Sequence, residues 1–545
     1  MKALLFNSQL ACQNFEKPAI PKTFISILLF ISSLIVYLIR ISQYYNKRNP
    51  LEPRLPPGPR PWPLFGSCLP LMLSSYKRSP RHQWIHTVMK QLNTEIACFH
   101  LGSNTHIIIV TSPELALEFL KTHDSIFASR PIASTTEILS CGFLSTVLSP
   151  MGDQWKKMKR ILASHVLNPS TLHQMRGQRI KEADALLHYI FDHASRCEAI
   201  NIRSITQHYC SNIIRRMVFN RRYYKKGREN EGPSLEEEDY NQALLTILMN
   251  LYSFSISEYI ACLKPFDLGG HQKIIRKALK VITNHDGPII EERVQEWRDG
   301  KKKEVQDILD ILITVKKDQN GESLLSIEEI KAQVTELQLA TIDNPSNAVE
   351  WAMIELLNQP KILQKAVEEL DEVVGRDRLV QEFDIPNLKY LTACMRESFR
   401  LHPFSPFNLP HVSISDIVVG GYFIPKGSQI LLCRVGLGRN PRIWEDPMRF
   451  DPERHLRDQT VKFGLSEPSL RFITFTRGRR GCIGSSLGTN ITMMLFARLL
   501  QGFSWSLLSG ITKIDFSKTD DLFLPKPLHL HAKPRLSHIM YQPTN

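Results

Sequence analysis

The chain has 545 residues, of which 43% are hydrophobic, and its formal net charge is +14. This length exceeds that of one small domain, and the apolar content is enough for a large core. A basic chain binds nucleic acid, an anionic membrane surface or an acidic protein. No nucleic-acid-binding motif is present, which favours the last two. The 10 cysteines form no C-x-x-C pair, which indicates buried thiols in a reducing compartment rather than a disulfide framework.

The amino end is predicted to anchor the chain in a membrane. Residues 24–39, "FISILLFISSLIVYLI", carry no charge and would be about 24 Å long as a helix, at the short limit for a bilayer span. Extension to residue 41 adds Arg40, which can reach the interface. The alternative is a cleaved secretory signal, but no small-residue cleavage site follows. We predict a short N-terminal segment over 1–23 and a transmembrane signal anchor over 24–41.

The residues after the anchor are predicted to form a basic, proline-rich hinge over 42–66. Basic residues outnumber the single Glu52 there, so the positive-inside rule places the rest of the chain in the cytosol. The prolines of "LPPGPRPWPLFG", 55–66, stiffen the chain and exclude helix. The body over 67–545 is predicted to be one domain, mainly α with a smaller β region. Its patterns are β-like at 106–110, helical from about 152 to 400, β-like at 410–435 and helical again at about 485–501.

A single cysteine lies in a glycine-rich loop, "FITFTRGRRGCIGSSLG", 472–488. Glycines permit tight turns and close approach to a bulky partner, and the helix predicted to follow lowers the pKa of Cys482 and favours its thiolate. A thiolate held in such a loop and shielded by Phe475 suits an axial ligand of haem iron, with loop N–H groups tuning the sulfur. The alternative is a buried cysteine at a helix cap.

This loop resembles the haem-binding signature of the cytochromes P-450, F-x-x-G-R-x-x-C-x-G. The matching residues are Phe475, Gly478, Arg479, Cys482 and Gly484. The resemblance implies the cytochrome P-450 fold and a haem b whose iron is bound by Cys482. The anchor and hinge are similar to those of the microsomal members, so the resemblance covers essentially the whole chain.

Two further motifs follow the order of that family. "ESFR" supplies Glu397 and Arg400, and "FDPERHL" supplies Arg454. An acid and an arginine three residues apart are by themselves a common solvated pair on a helix face. In the family the three residues form a buried ion network that holds the cysteine loop in place.

The resemblance also implies residues that bind the haem propionates. "WKKMK" is similar to the family's W-x-x-x-R/K and supplies Trp155 and Lys159. His411 in "LPHVS", Arg479, and Arg130 in "FASRP" are similar to the other propionate partners. Alone, Trp155 would be interpreted as a core aromatic and the others as surface charges.

A helix predicted over 337–353, "LQLATIDNPSNAVEWAM", contains Pro345 in its middle. Its apolar residues recur at three and four, as in a buried helix. Pro345 cannot donate to the carbonyl of Thr341, so the helix is predicted to open there. In the family this helix crosses the haem and reads A-G-x-D/E-T-T, and the acid and alcohol manage oxygen and protons. Asp343 aligns with the acid and Asn344 replaces the alcohol, so both are predicted to be catalytic. The alternative is a kink that only improves packing.

The stretch "DNPSNAVEWA", together with "SPFNLPHV" and "DPERHL", resembles the plant amino-acid N-monooxygenases, family 79 of the cytochromes P-450. Two departures concern the cysteine loop. Arg477 stands where that family has a small hydroxyl residue, and "CIGSS" replaces its C-x-A pattern. They leave open a divergent branch with altered activity.

The implied reaction is two successive N-hydroxylations of an α-amino acid, followed by loss of water and CO₂ to give an aldoxime. It uses O₂ and NADPH electrons delivered by an FAD/FMN reductase, in plant specialised metabolism such as glucosinolate or cyanogenic glucoside biosynthesis. The implied location is the endoplasmic reticulum membrane, single-pass, with a cytosolic catalytic domain. Asn408 is a hypothesis for the partner of the substrate carboxylate. A cationic face is predicted to bind the reductase; it consists of Lys156, Lys157, Arg160, Arg477 and Arg480.

Three other functions remain open. One is a carbon-hydroxylating plant monooxygenase of a terpenoid or phenolic, against which the "DNP" sequence argues. Another is an O₂-independent haem-thiolate isomerase or dehydratase, which would not depend on NADPH. A non-catalytic haem protein is the third, and the presence of every haem motif disfavours it.

Overall fold

The computed structural model describes residues 32–33, 36, 54–62, 65–68, 71, 81–102, 105–222, 234–316, 323–457, 464–515, 524 and 526–542. The chain divides into two units, one of residues 1–52 and 62–64 and the other of residues 53–61 and 65–545. The predicted segment 1–23 and most of the predicted anchor and hinge lie outside the described residues; of the anchor, only 32, 33 and 36 are described, and they are helical. Within the described ranges, no helix is long and apolar enough to cross a membrane.

The second unit is mainly helical, as the sequence predicts. The helix that follows the glycine-rich loop covers residues 485–502, against a prediction of about 485–501. The helices are α1 Arg81–Gln91, α2 Pro113–Leu117, α3 Ser134–Leu139, α4 Asp153–Ile161, α5 Pro169–Gln174, α6 Arg176–Ser195, α7 Ile202–Phe219, α8 Leu235–Asn250, α9 Ile256–Tyr259, α10 His271–Arg298, α11 Ile308–Thr314, α12 Ile327–Asn358, α13 Pro360–Val373, α14 Lys389–Leu401, α15 Arg434–Gly438 and α16 Ser485–Gly502. Single π-helical turns cover Glu118–Thr122 and Leu162–Val166, and 3₁₀ turns cover Ala261–Phe266, Ile385–Asn387, Pro452–His455 and His538–Tyr541.

The smaller β region forms three sheets. One has the order β1-β2-β7-β4, one the order β3-β9-β8, and one pairs β5 with β6. Strands β2 and β7 run parallel, with Ile107 opposite Gln429. The strands are β1 Ile96–Leu101, β2 Thr105–Val110, β3 Ile200–Asn201, β4 His411–Val412, β5 Ile417–Val419, β6 Tyr422–Ile424, β7 Gln429–Leu432, β8 Phe503–Leu507 and β9 His529–Pro534.

Helix α12 runs through the largest hydrophobic core, where Trp351 is fully buried. A capping box begins the helix. The Ser326 side chain accepts from the Glu329 N–H, and the Glu329 carboxylate accepts from the Ser326 N–H at 2.9 Å. The same carboxylate accepts from the Gln154 side chain at 2.8 Å, which fixes α4 to the start of α12. The predicted opening at Pro345 is not seen, because the α-helix continues unbroken through that residue. The defect is therefore limited to the donor that proline lacks.

A few long-range pairs position the segments around the cysteine loop. Ser129 forms an antiparallel bridge with Val412, and the Val412 N–H donates to the Ser129 carbonyl at 3.0 Å. Arg130 directly follows Ser129 in the chain, and His411 directly precedes Val412. The bridge therefore brings together two predicted site residues that are far apart in the chain.

Candidate functional site

The cysteine loop is closed by backbone hydrogen bonds. The Cys482 N–H donates to the Phe475 carbonyl at 2.8 Å, and the Gly481 N–H donates to the Gly478 carbonyl at 3.0 Å. Gly478 has φ +81°, and a Cβ there would lie 2.4 Å from the Leu120 carbonyl oxygen. Only glycine fits such a position, because the conformation and the contact both exclude a side chain. The loop is thus fixed against the π-helical turn at Glu118–Thr122.

The Cys482 side chain keeps accessible surface, although burial is strong enough to raise the pKa of its thiol. The Gly484 N–H and the positive charge of Arg434 oppose the rise in pKa. The sequence predicts that the helix start lowers the pKa of Cys482, but in the structure burial outweighs that effect. A metal ion that binds the sulfur removes the proton, so a raised pKa is compatible with a ligand role.

Two buried guanidinium groups and one imidazole lie together beside this loop. Arg130 donates to the carbonyls of Val147, Leu409 and Pro410 at 3.2, 3.0 and 2.7 Å. The Nδ1–H of His411 donates to the Phe127 carbonyl at 2.9 Å. Burial holds the pKa of His411 well below its ordinary value, and the neighbouring cations lower it further. The Arg130 guanidinium is thus held by neutral carbonyls, which leave its positive charge uncompensated.

The resemblance implies Arg479 as a propionate partner, but the structure places the side chain of Arg480 inside. The Arg479 side chain is 53% exposed and pairs with Asp124 at 3.3 Å, whereas Arg480 is only 8% exposed. Arg480 donates to the carbonyls of Ala128 and Ser149 at 2.6 and 2.7 Å. The sequence pattern does not separate the two arginines, because residues 479 and 480 form the turn that the hydrogen bond from Gly481 to Gly478 closes.

Trp155 and Lys159 lie at the same place. Trp155 is buried, and the Arg480 guanidinium carbon lies 4.2 Å from the centroid of its ring. The Lys159 ammonium is 5.2 Å from that ring and donates to the Arg479 carbonyl. Phe475 packs at the start of α16, where a Cβ on Gly488 would lie 3.2 Å from its ring. Of the predicted cofactor-binding residues, only Arg479 faces away from the cysteine side.

A buried carboxylate that the sequence did not indicate partly balances these cations. Glu336 on α12 accepts from the Ser145 hydroxyl at 2.6 Å and from the Thr146 and Val147 N–H groups at 2.9 Å. Burial raises the pKa of Glu336 in spite of these bonds. Its negative charge acts on both Arg130 and Arg480. One carboxylate facing two guanidinium groups leaves a net positive interior that suits further carboxylates.

The predicted ion network is present, and it has a fourth member. Glu397 accepts from the Arg400 Nε at 2.7 Å and from the Arg454 Nε at 3.0 Å. His455 adds a bond of 2.8 Å to the same carboxylate, and its ring lies 5.6 Å from that of Phe472. Burial of Glu397 disfavours its charged form. The hydrogen bonds from Arg400 and His455 outweigh that effect and lower the pKa of Glu397 to about 2. The network thus reaches the beginning of the cysteine loop through His455 and Phe472.

The middle of α12 presents surface although most of its other central residues are buried. Ala340 is exposed, and Thr341, Asp343 and Asn344 are half-buried. Burial raises the pKa of Asp343 to about 6, with Arg203 opposing that rise. Arg203 lies on α7, so Asp343 is oriented towards the contact between the two helices. Its pKa suits proton transfer near neutral pH.

The predicted cationic face is smaller than the sequence indicated. Lys156 and Arg160 are exposed on α4, and Arg477 is half-buried. Lys157 pairs with Glu329 and is partly neutralised, and Arg480 is buried. Lys157 and Arg480 are therefore unsuited to long-range attraction. Lys156 and Arg479 keep exposed charges, although they pair with Asp153 and Asp124.

The thiol and the buried cations together fit a haem. One sulfur lies in a glycine loop, and positive groups lie beside it, where two propionates can be neutralised. The family model for cytochrome P450 matches residues 56–532. The chain belongs to the cytochrome P450 family. It is a haem-thiolate monooxygenase, a class in which a cysteine binds the haem iron and NADPH supplies electrons through a reductase.

Several relatives are named as N-monooxygenases of amino acids. A tryptophan N-monooxygenase of Prunus mume is 52% identical over 518 residues, covering 93% of this chain and 95% of the relative. A phenylalanine N-monooxygenase of Arabidopsis thaliana is 48% identical, covering 94% of this chain and 98% of the relative. A tyrosine N-monooxygenase of Sorghum bicolor is 47% identical, covering 90% and 88%. The resemblance to the plant amino-acid N-monooxygenases is confirmed.

Proposed function

We propose that this chain hydroxylates the nitrogen of one α-amino acid twice and releases the aldoxime with loss of water and CO₂. The similarity to N-monooxygenases over nearly the full length of both chains carries the proposal. The "DNP" stretch supports it from the structure, because Asp343 and Asn344 lie where α12 presents surface. The relatives differ in the amino acid they are named for, so the side chain of the substrate is left to experiment.

In this proposal Cys482 binds the iron and the buried cations hold the propionates. The propionate site consists of Arg480, Arg130, His411, Trp155 and Lys159, with Arg480 in place of Arg479. Bound haem supplies the activation of O₂. The Nδ1 proton of His411 is committed to a carbonyl, so Nε2 can donate to a propionate only after taking up a second proton. A propionate would favour that proton.

The residues of α12 would act on the substrate and on protons. A buried site favours the neutral amine that N-hydroxylation requires. The Asn344 amide can donate and accept, so it can orient either the amine or the carboxylate of the amino acid. Asp343, with its pKa of about 6, can take up and release protons at neutral pH. Both residues are proposed as catalytic on this basis.

We propose also that residues 24–41 anchor the protein in the endoplasmic reticulum membrane, preceded by residues 1–23 and followed by the hinge 42–66. The uncharged stretch 24–39 and the basic residues after it support this orientation. Residues 67–545 would then form a cytosolic domain that meets the flavoprotein reductase.

The decisive experiment is expression in microsomes with a reductase, NADPH and each of the twenty amino acids. Oximes are identified by mass spectrometry, and Cys482→Ala serves as the inactive control. We expect one amino acid, or a few related ones, to give an NADPH-dependent oxime. Products hydroxylated only on carbon would replace the proposal with the carbon-hydroxylating alternative. A product formed without NADPH and O₂ would replace it with an isomerase or dehydratase.

A further inference from the structure

We propose that Arg434 and Asn408 form a buried carboxylate-binding site at the end of strand β7. Both side chains belong to a short antiparallel ribbon. Phe407 pairs with Cys433, the Asn408 N–H donates to the Leu432 carbonyl at 3.2 Å, and the Arg434 N–H donates to the Pro406 carbonyl at 2.9 Å. The inference rests on the proposed function for the identity of one of two candidate carboxylates.

The ribbon places both residues on one face. In an antiparallel pair, directly opposite residues share a face, and residues two apart on one strand do so as well. Asn408 is opposite Leu432, and Leu432 and Arg434 are two apart, so the two polar side chains are on one face. Cys433 is on the other face, where its sulfur lies 3.1 Å from the His86 Nε2. His411 pairs with Ile430 and therefore shares the face of Arg434.

Both side chains are buried and keep donors without a partner among the described residues. Arg434 is 6% exposed, and its Nε and Nη1 find no acceptor there. Asn408 is 4% exposed; its Oδ1 accepts from the Leu432 N–H at 2.7 Å, which leaves the Nδ2 unpaired. A buried cation without a counter-charge is strongly disfavoured, whereas a forked guanidinium is well matched to a carboxylate. Burial lowers the pKa of Arg434 to about 9, and the charge of Cys482 opposes that shift.

The Arg434 side chain is directed away from the propionate site. Its guanidinium carbon lies 4.0 Å from the centroid of the Phe404 ring. Arg434 is four positions after Ile430, the residue opposite His411, and four positions are about 13 Å of extended chain. Phe404 is further from His411 again, because the two segments of the ribbon run antiparallel. The carboxylate here is the α-carboxylate of the amino acid or a haem propionate that reaches past the first cluster.

The test compares ligands that have and lack each carboxylate, in the full-length haem protein. Spectral titration gives the dissociation constants of the amino acid that forms oxime and of the amine obtained by decarboxylating it. Reconstitution of the haem-free chain with haem and with haem dimethyl ester gives the corresponding comparison for propionates. Arg434→Leu removes the donor, and Arg434→Lys keeps the charge but not the fork. Arg442→Leu, an exposed arginine of the same region with surface partners Glu95 and Glu114, is the control.

If the site binds the substrate carboxylate, Arg434→Leu raises the dissociation constant of the amino acid by about 10- to 150-fold. The dissociation constant of the amine and the retention of haem are then unchanged. If a propionate is bound, Arg434→Leu weakens retention of haem but not of its dimethyl ester. Asn408→Leu should change the same binding constants in the same direction, but by smaller factors. If Arg434→Leu and Arg442→Leu bind the amino acid, the amine, haem and haem dimethyl ester equally well, the proposed site is overturned. Oxime formation by the wild type is measured separately, so this result would not bear on the proposed reaction.

Discussion

The guanidinium of Arg480 lies over the indole ring of Trp155, with 4.2 Å between the guanidinium carbon and the ring centroid. This pair joins the cysteine loop to α4, and three carbonyls complete the coordination of the cation. Neighbouring Arg479 points outward to Asp124. The two adjacent arginines therefore form a natural pair for comparison.

We expect Arg480→Leu to lower haem content and thermal stability, whereas Arg479→Leu leaves both near the wild-type values. The first removes a buried cation from the proposed propionate site, and the second removes an exposed one worth about 0 to 1 kcal/mol. Haem content by the pyridine haemochrome assay and melting by circular dichroism check the difference. Equal haem content in both variants would remove Arg480 from that site.

Cys482→Ala should abolish the thiolate-type Soret band of the reduced CO complex and all activity. The reason is that the loop offers the iron one sulfur, closed in by the hydrogen bond between Cys482 and Phe475. Cys433→Ala, at a cysteine whose sulfur contacts His86, is the matched control and should keep the band. A thiolate-type band in Cys482→Ala would show that another residue binds the iron.

Asp343→Asn should change the pH dependence of stability. Burial raises the pKa of Asp343 to about 6 from an ordinary 3.8. Stability contributed by the protonated acid is therefore fully present below about pH 3.8 and is lost as the pH rises to about 6. Above that pH, Asp343→Asn should be more stable than the wild type by up to about 3 kcal/mol. Urea unfolding at several pH values measures this, and parallel pH curves for the two proteins would contradict it.

Asn344→Thr should bind haem and CO normally but make little oxime per NADPH consumed, with more peroxide released. It restores the usual alcohol but loses an amide that can orient a zwitterion, at a cost of about 1.5 to 3 kcal/mol. Asn344→Ala should be at least as uncoupled. Product, peroxide and NADPH are measured in the same reaction. Normal yields in both variants would reduce Asn344 to a packing residue of α12.

Charge reversal on the exposed cations should slow reduction of the iron. Lys156→Glu combined with Arg160→Glu opposes an acidic reductase, and the effect should fade at high salt. Amino-acid binding spectra should be unchanged, because both side chains point to solvent. Stopped-flow reduction at low and high salt provides the measurement. Reduction at the wild-type rate at low salt would place the docking face elsewhere.

Sequence reasoning found the elements that local patterns determine. The helical pattern of α12, although not its unbroken course through Pro345, the β-like stretch at 410–435 and the last helix follow from periodicity, and Cys482, Glu397, Arg400 and Arg454 from spaced motifs. It missed residues whose role depends on which way a side chain points. Arg480 and Arg479 are adjacent and chemically identical, and only the closed loop directs one inward. Glu336 belongs to no motif, and His455 lies in "DPERHL" without a role implied there; tertiary contacts give both residues their partners.

Two long-range features also affect the order of folding. They are the bridge between Ser129 and Val412 and the hydrogen bonds made by Arg130 and Arg480. Arg130 finds its acceptor on Leu409 across 279 residues, and Arg480 finds Ala128 across 352. Loops of that length close late, because their entropy must be overcome before the contact contributes. A nascent chain therefore lacks the propionate site until nearly all of it has been synthesised. Haem uptake before release from the ribosome is disfavoured, and truncation after residue 479 should remove Arg480 and Cys482 and leave the site incomplete.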